Sequence, residues 1–449
     1  MKTTLKIAML LCLTVIVMLS MASCDDVLSK QPIDSETTED GTTTDGATTL
    51  GDATSQVPDD PNFPDANKIS EGLEFTADEN VAGYFVTGIG TCTDTDIIIP
   101  STHQGTPVIG IGWAAFRSCS EITSVTIPDS VIGIGEEAFY NCSSLTSLTL
   151  GNSVSVICNS AFAGCKSLTN IIIPDSVTTI EWGAFADCDS FTSVTIPDSL
   201  TSISSEAFLS CNNLIDIVVD EGNAAYQSID GNLYTKDETV LMAYAIGKQA
   251  ASFTVPDTVT VIDDSAFADC KSLTNVTIPN SVTAIGSDAF LGCDSLIQIE
   301  DGVSYVEKWV VDCDNSATTV VLRDETIGIG DNAFRNCDSL TSVTISDSVI
   351  TVGDYAFFGC RNLRGVTIGN SVTTIGDSAF HYCYNLTSVT IGNSVTVIGG
   401  NVFWECSSLT SITFNGTVEQ WNAIEKDTNW NYNIPANEVV CIGGAVSLG

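Results

Sequence analysis

The segment Phe139 to Ala161, FYNCSSLTSLTLGNSVSVICNSA, is one copy of a unit that recurs along most of this 449-residue chain. Within it, Leu145 to Leu150 alternates apolar and polar residues as a β-strand does, and Val154 to Ile157 supplies a second short extended piece. Between them lies Gly151-Asn152-Ser153, whose residue types favour a turn. Because so small a unit cannot bury its apolar side alone, it must stack on copies of itself.

The repeat is marked by phenylalanines, preceded by Ala in every copy but the last, that return at 23-residue intervals with a cysteine three positions later. The phenylalanines are Phe116, Phe139, Phe162, Phe185, Phe208, Phe267, Phe290, Phe334, Phe357, Phe380 and Phe403. The cysteines, termed here the cysteine ladder, are Cys119, Cys142, Cys165, Cys188, Cys211, Cys270, Cys293, Cys337, Cys360, Cys383 and Cys406. Self-similarity at one fixed period predicts a solenoid.

The fold class predicted is all-β, with a parallel sheet built from 23-residue repeats over residues 97–414. Two longer intervals, Phe208 to Phe267 and Phe290 to Phe334, predict β excursions at about residues 216–254 and 299–322, the first with a hairpin turn at Asp230-Gly231. Residues 69–96 and 415–449 depart from the period, and we expect them to cap the two ends. Trp421 and Trp430 are candidates to cover the last coil.

The spacing Cys-x-x-Leu-x-x-Val-x-Ile-Pro-x-x-Val-x-x-Ile-x-x-x-Ala-Phe resembles the BspA-like leucine-rich repeats of bacterial surface proteins and lipoproteins. The closing Asn415-Gly416-Thr417, with Trp421 and Ile424, is similar to the usual ending of that family. The resemblance implies surface display and adhesion to host proteins or other microbes. It does not define one ligand.

The first residues are typical of an export signal. Lys2 and Lys6 precede the apolar run Ile7 to Ser20, too short for a confident membrane span, so we expect residues 1–23 to be a signal peptide. Met21-Ala22-Ser23-Cys24 resembles a lipobox, which implies lipidation at Cys24; a plain secretory signal is the alternative. Residues 24–68 are rich in Thr and Asp and poor in large apolar residues, which predicts a disordered tether.

The composition excludes several functions. The chain has 15 Lys plus Arg against 56 Asp plus Glu, a formal net charge of −41, so we expect no nucleic-acid partner, because phosphates bind to basic residues. Only two histidines occur, His103 and His381, and no nucleophile–base constellation, phosphate loop or metal motif is present. We therefore expect no enzyme activity, no cofactor and no metal site, and a basic partner wherever the acidic surface takes part in binding.

Several columns of side chains admit a structural and a functional interpretation. The ladder cysteines are not clustered as metal ligands are, and parallel thiols on stacked coils do not suit disulfides, so buried structural thiols are favoured. Cys92, Cys158, Cys313 and Cys441 lie off the ladder and are free to pair by sequence alone. For the Asp and Asn residues at the turns, a role in the turn hydrogen bonds is favoured over calcium binding. For the Thr residues along the main strands, a structural role in the strands is favoured over ice or glycan binding.

Aromatic residues give two candidate ligand-binding sites. Phe358, His381 and Trp404 occupy one repeat position on three successive coils, with Tyr382 and Tyr384 beside them. They predict either an exposed binding surface or packing beneath the C-terminal cap. The second candidate is Tyr305, Lys308 and Trp309 on the second excursion.

Together these features predict a monomeric, lipid-anchored, extracytoplasmic protein at the cell surface, without catalytic activity. The favoured function is an adhesin for an extracellular or host protein, or for a protein of a neighbouring cell. The alternatives are a glycan-binding surface module and a structural envelope protein.

Overall fold

The computed structural model describes residues 69–78 and 80–448. The signal peptide, Cys24 and the tether lie outside the described residues. The chain divides into two compact units, Met1–Phe185 and Ala186–Gly449. Within the described residues, no helix has the length and apolar character needed to cross a membrane.

The first unit begins with an antiparallel pair and continues as stacked coils. Its strands are β1 (Glu74–Ala77), β2 (Tyr84–Gly88), β3 (Asp96–Ile98), β4 (Thr102–His103), β5 (Thr106–Ile111), β6 (Ser124–Thr126), β7 (Gly133–Ile134), β8 (Ser147–Thr149), β9 (Val156–Ile157) and β10 (Thr179–Ile180). One sheet follows the order β1-β2-β5-β7-β9-β10, with β4 paired to β5, and the other is β3-β6-β8. Most coils therefore contribute one strand to each side of the stack, whereas the coil of β10 contributes a strand to one side only.

The second unit holds a longer series of strands. They are β11 (Ser193–Ile196), β12 (Ser202–Ile203), β13 (Asp216–Val219), β14 (Tyr226–Ile229), β15 (Asn232–Thr235), β16 (Val240–Ala243), β17 (Ser252–Thr254), β18 (Val261–Ile262), β19 (Asn275–Thr277), β20 (Ala284–Ile285), β21 (Gln298–Glu300), β22 (Val303–Val306), β23 (Trp309–Cys313), β24 (Thr319–Val321), β25 (Gly328–Ile329), β26 (Ser342–Thr344), β27 (Thr351–Val352), β28 (Gly365–Thr367), β29 (Thr374–Ile375), β30 (Ser388–Ile391), β31 (Val397–Ile398), β32 (Ser411–Thr417), β33 (Glu425–Lys426), β34 (Glu438–Ile442) and β35 (Gly444–Ser447). A 3₁₀ turn covers Ser205–Phe208, and the helix α1 covers Val418–Ala423.

The longest sheets of the second unit run β21-β22-β23-β25-β27-β29-β31-β33 and β24-β26-β28-β30-β32-β34-β35, and shorter ones are β14-β15-β16-β18-β20, β11-β13 and β17-β19. Coil strands pair parallel and in register, so that Thr344 lies opposite Thr367 and Thr367 opposite Thr390. Along the three-residue strands the middle side chain is buried and the outer two face outward. The predicted β-solenoid with 23-residue repeats is confirmed.

Both excursions are β-hairpins whose last strand returns to the stack. In the first, β14 pairs with β15 across Asp230-Gly231, where both residues have positive φ, so the predicted hairpin turn is confirmed. Strand β16 then pairs parallel with β18. In the second, β22 pairs antiparallel with β21 and β23, and β23 pairs parallel with β25.

The interior is filled by stacked rings. Phe116 and Phe139 have ring centroids 4.9 Å apart, and Phe357 and Phe380 lie at 5.0 Å, each pair within 3° of parallel. The backbone N–H of a ladder phenylalanine donates to the carbonyl of the alanine one coil later, for example Phe139 to Ala161 at 2.7 Å. In the C-terminal cap, buried Trp421 and Trp430 pack on each other and on Phe414 and Phe403 respectively.

An aspartate column adds hydrogen bonds between coils of the second unit. Asp331 Oδ1 accepts from the backbone N–H of Asp354 at 2.7 Å, and Asp354 Oδ1 accepts from that of Asp377 at 2.6 Å. Burial raises the pKa of Asp331 to about 7, although the N–H of Asp354 opposes that rise, and the neighbouring charge of Asp354 adds to it. The Asp331 carboxylate therefore has a hydrogen-bond donor, but burial and the neighbouring negative charge destabilise its charged form.

We expect Asp331→Asn to remove the loss of stability that ionisation of Asp331 causes as the pH rises. The folded-state pKa lies above the unfolded value of 3.8, so the stability that the protonated carboxyl contributes is fully present below about pH 4 and is lost as the pH rises through about 7. Asn keeps an oxygen for the Asp354 N–H and stays neutral. Urea unfolding of both proteins should give equal stabilities near pH 4 and a more stable variant at pH 8. A difference that did not change with pH would contradict this account.

Candidate functional site

The cysteine ladder lies in the interior of the coils. Its members are thiols that are all buried except the first, Cys119, which is half-buried. Each of several ladder thiols donates a hydrogen bond to the carbonyl of the ladder phenylalanine 26 residues earlier, as from Cys360 Sγ to Phe334 O at 2.9 Å and from Cys406 Sγ to Phe380 O at 3.1 Å. The ladder is therefore a line of S–H···O contacts that connects successive coils, a structural use of cysteine.

Burial makes several of these thiols poor nucleophiles and poor ligands. Desolvation raises the pKa of Cys142 and of Cys211 to about 12, so little reactive thiolate forms at neutral pH. Off the ladder, Cys92, Cys313 and Cys441 are also thiols, and Cys158 is buried. Among residues 69–78 and 80–448, no group of three or more His, Cys, Asp or Glu side chains is arranged to hold a metal ion.

The turn aspartates also act between coils. Asp129 Oδ1 accepts from the backbone N–H of Asn152, and Asp347 Oδ1 accepts from that of Asn370, both at 2.6 Å. These side chains link one turn to the turn 23 residues later. Their geometry agrees with the turn interpretation of this column.

Aromatic side chains form one surface cluster in the C-terminal coils of the second unit, termed here the aromatic patch. Its members are Tyr355, Phe358, His381, Tyr382, Tyr384, Trp404 and Tyr432, linked by ring contacts of 4.0 to 5.7 Å. Phe358 meets His381 edge-on at 5.2 Å, and His381 stacks on Trp404 at 5.6 Å. The structure thus brings together all five side chains of the first predicted site.

The aromatic patch is partly open and partly covered. Tyr355, Tyr382, Tyr384 and Tyr432 are exposed, with 36% to 55% of their surface accessible, whereas Phe358, His381 and Trp404 are half-buried. Trp404 lies against Tyr432 of the C-terminal cap at 5.0 Å. Burial lowers the pKa of His381, with Glu405 opposing, so its ring is neutral at pH 7 and acts as one more flat, weakly polar surface.

Two members of the aromatic patch, Tyr355 and Tyr432, and the adjoining Arg335 were not predicted. Arg335, whose guanidinium lies 5.0 Å from the centre of the Phe358 ring, has the same repeat position as Phe358, one coil earlier, so the period could have found it. Tyr355 lies three residues before Phe358 and adds an exposed ring. Tyr432 comes from the aperiodic cap, and no spacing in the sequence indicates that it reaches Trp404.

The second predicted site does not form an exposed aromatic surface. Only Lys308 is exposed, since Tyr305 is 2% exposed and Trp309 is 1% exposed. Both rings face the core because β23 re-enters the parallel sheet beside β25. The Trp309 ring lies so close to Gly328 that a residue with a Cβ atom would not fit at position 328. Arg323 covers the Tyr305 ring from the other side, 4.1 Å from its centre. These residues hold the hairpin onto the stack.

The backbone of the patch is unusual at two tyrosines. Each typical coil has two residues with positive φ, one two positions before and one two positions after the ladder phenylalanine. Small or polar residues occupy most of these positions, including Asn332, Asn336 and Asn401. Tyr355 and Tyr382 occupy them with φ of 53° and 61°, a conformation that bulky residues rarely adopt. Both exceptions lie in the aromatic patch.

Comparison with known families matches residues 92–234, 243–325 and 311–426 to a model described as a BspA type leucine rich repeat region. Similar solved structures include leucine-rich repeat proteins from Eubacterium ventriosum (22% identity, 82% of this chain and 94% of that chain, TM-score 0.43) and Bacteroides ovatus (25%, 82% and 93%, 0.40). A leucine rich cell surface protein from Faecalibacterium prausnitzii is 26% identical over 82% of this chain and 99% of that chain, with a TM-score of 0.32. No curated protein matches the sequence.

Tyr355→Asn should stabilise the fold. Asn tolerates the left-handed conformation that Tyr355 adopts, as Asn332 already does one coil earlier, and relief of the strain is worth about 1 kcal/mol. Tyr355→Phe, which keeps both ring and strain, is the matched control and should leave stability unchanged. Chemical denaturation of the three proteins checks this. A loss of stability in the Asn variant would mean that the ring supports the fold.

Native-state alkylation should separate the cysteines by burial. Among the cysteines of residues 69–448, the half-buried Cys92 and Cys119 should react with iodoacetamide first, because the remaining side chains are enclosed. Mass spectrometry of peptides labelled with and without urea provides the measurement. Rapid labelling of Cys360 or Cys383 in the folded protein would show that the ladder opens.

Proposed function

Because the chain belongs to the BspA-type leucine-rich repeat family, we propose that it is a non-catalytic adhesin displayed at the cell surface. In this proposal residues 1–23 direct export, lipidated Cys24 anchors the chain to a membrane, and residues 24–68 hold the repeats away from it. The ligand is a protein of the host or of a neighbouring cell. The aromatic patch is the surface that binds it.

The observation that carries the proposal is the pair of left-handed tyrosines. Residues in sparsely populated backbone conformations concentrate at functional sites, where the cost is tolerated for another purpose. Tyr355 and Tyr382 occupy positions at which this same chain uses Asn in other coils, and both rings are exposed. Asn would give a more stable fold at both positions, so we attribute the two tyrosines to ligand binding.

The composition of the patch favours a protein ligand. Tyrosine, tryptophan and arginine are the residues enriched at the energetic centres of protein interfaces. Tyrosine and tryptophan offer large contact areas with few rotatable bonds. The patch presents four exposed tyrosines, and Arg335 lies over Phe358. Its scaffold of hydrogen-bonded coils is rigid, so little conformational entropy is lost on association.

The charge of the chain adds a preference among protein ligands. A formal net charge of −41 attracts basic surfaces over distances beyond contact and repels acidic ones. A basic partner would therefore associate faster at low ionic strength, and the association rate should fall steeply as salt rises.

The proposal is tested on cells that produce the full chain. Protease treatment of intact cells should remove the repeats, and untreated cells should adhere to immobilised extracellular-matrix proteins. Tyr355→Asn and Tyr382→Asn should each reduce adherence at least about tenfold, the effect of removing an interface anchor, without loss of surface display. Leu291→Ala is the matched control, because Leu291 is an exposed apolar residue at the repeat position of Phe358.

Two results would overturn the proposal. Repeats that are digested only after lysis would lie behind a barrier and would favour the structural envelope role. Surface-exposed repeats whose adherence is unchanged in both tyrosine variants would remove the aromatic patch from binding.

A further inference from the structure

The first unit carries a straight row of four side chains that the adhesin proposal does not use. Strands β5, β7, β9 and β10 pair parallel and in register, with Ile111, Ile134, Ile157 and Ile180 opposite one another in turn. The residue two positions after each isoleucine belongs to a row that we term the tryptophan line. Its members are Trp113, Glu136, Asn159 and Trp182. The coils keep this order because backbone N–H groups following each member donate to the carbonyls of the next, at 2.9 to 3.0 Å.

The two indoles at the ends of the line face solvent. Trp113 is 45% exposed and Trp182 is 51% exposed, although tryptophan is normally the side chain that gains most from burial. Within the described part of the first unit, no other aromatic ring lies against either indole. The fold therefore leaves about half of each indole surface uncovered.

The residues between the indoles are polar and half-buried. Asn159 Oδ1 accepts from the backbone N–H of Trp182 at 3.1 Å, and the backbone N–H of Asn159 donates to Glu181 Oε2 at 3.1 Å. The Asn159 amide in the middle of the line is thus held in place by hydrogen bonds along the stack, and the Glu136 carboxylate lies one coil earlier at the same repeat position. Amide and carboxylate groups bind hydroxyls, and exposed indoles stack on flat apolar surfaces.

We propose that the tryptophan line binds a neutral, extended glycan chain that runs along the coil axis. Three coil spacings of about 4.8 Å place the indoles about 14 Å apart. The rings of an extended β-1,4-linked glycan repeat at nearly the same interval as the coils, so two sugars three positions apart would stack on Trp113 and Trp182. The sugars between them would donate hydroxyl hydrogen bonds to Glu136 and Asn159.

Charge selects the class of glycan. The line contains a carboxylate and no basic residue, and the neighbouring Arg117 is already engaged by Glu137 and lies 5.0 Å from the centre of the Tyr140 ring. Sulfated or phosphorylated chains would be repelled, and the linear spacing suits a polymer better than a globular partner. The proposal is independent of the aromatic patch, so either can fail alone.

The test is titration calorimetry of the full mature chain with neutral β-1,4-linked hexamers of glucose, N-acetylglucosamine, mannose and xylose. At least one hexamer should bind, and its dimer should bind at least about tenfold more weakly, because it cannot reach both indoles. Trp113→Ala and Trp182→Ala should each weaken hexamer binding by about tenfold or more. Ile172→Ala, which removes an 85% exposed apolar side chain from the same unit, should leave binding unchanged.

Thermal unfolding of each variant provides the folding control, because about half of each indole surface is buried and contributes to stability. The proposal is overturned if none of the four hexamers binds, if a dimer binds as tightly as its hexamer, or if either tryptophan variant of unchanged stability binds like the parent. Binding that weakened steeply with added salt would also contradict it, because neutral sugars carry no charge to screen.

Discussion

The parallel, in-register pairing of one coil with the next is the constraint on which every other feature of this protein depends. A coil of 23 residues cannot bury its own apolar side chains, so its strands, its turn and its ladder positions are all stabilised by the neighbouring copy. Backbone hydrogen bonds connect equivalent residues of adjacent coils, as from Phe357 to Ala379, and fix the register. Once the register is fixed, residues at the same repeat position of successive coils lie side by side and form a column.

The buried columns show how the same contact is used repeatedly. Phenylalanine rings stack nearly parallel, and the cysteine beside each ring donates its S–H to the carbonyl of the previous ring's residue. The aspartate columns do the same with backbone N–H groups as donors. The Asp331 carboxyl carries a cost in this arrangement, because burial disfavours its charged form. Structural columns of this kind need no ligand to explain them.

The exposed columns have the opposite character, because their residues change from coil to coil without harm to the stack. Function can therefore be placed by substitution at single positions of a column. In the second unit, aromatic residues occupy one repeat position over three consecutive coils and produce the aromatic patch, which also includes two tyrosines at left-handed positions. In the first unit, two tryptophans stand at the ends of a polar row. Each surface has the geometry of the repeat within its own unit, with side chains at regular intervals from coil to coil.

The sequence by itself determined the architecture, because a period is a one-dimensional property and the stack converts it directly into columns. It also placed Phe358, His381 and Trp404 together, since a shared repeat position on successive coils implies contact. Only the tertiary structure decided burial in the aperiodic parts. Trp309 and Tyr305 alternate like any hairpin residues, and which side meets the core depends on how β23 returns to the sheet. Likewise Tyr432 reaches Trp404 only through the path of the cap, which no spacing encodes.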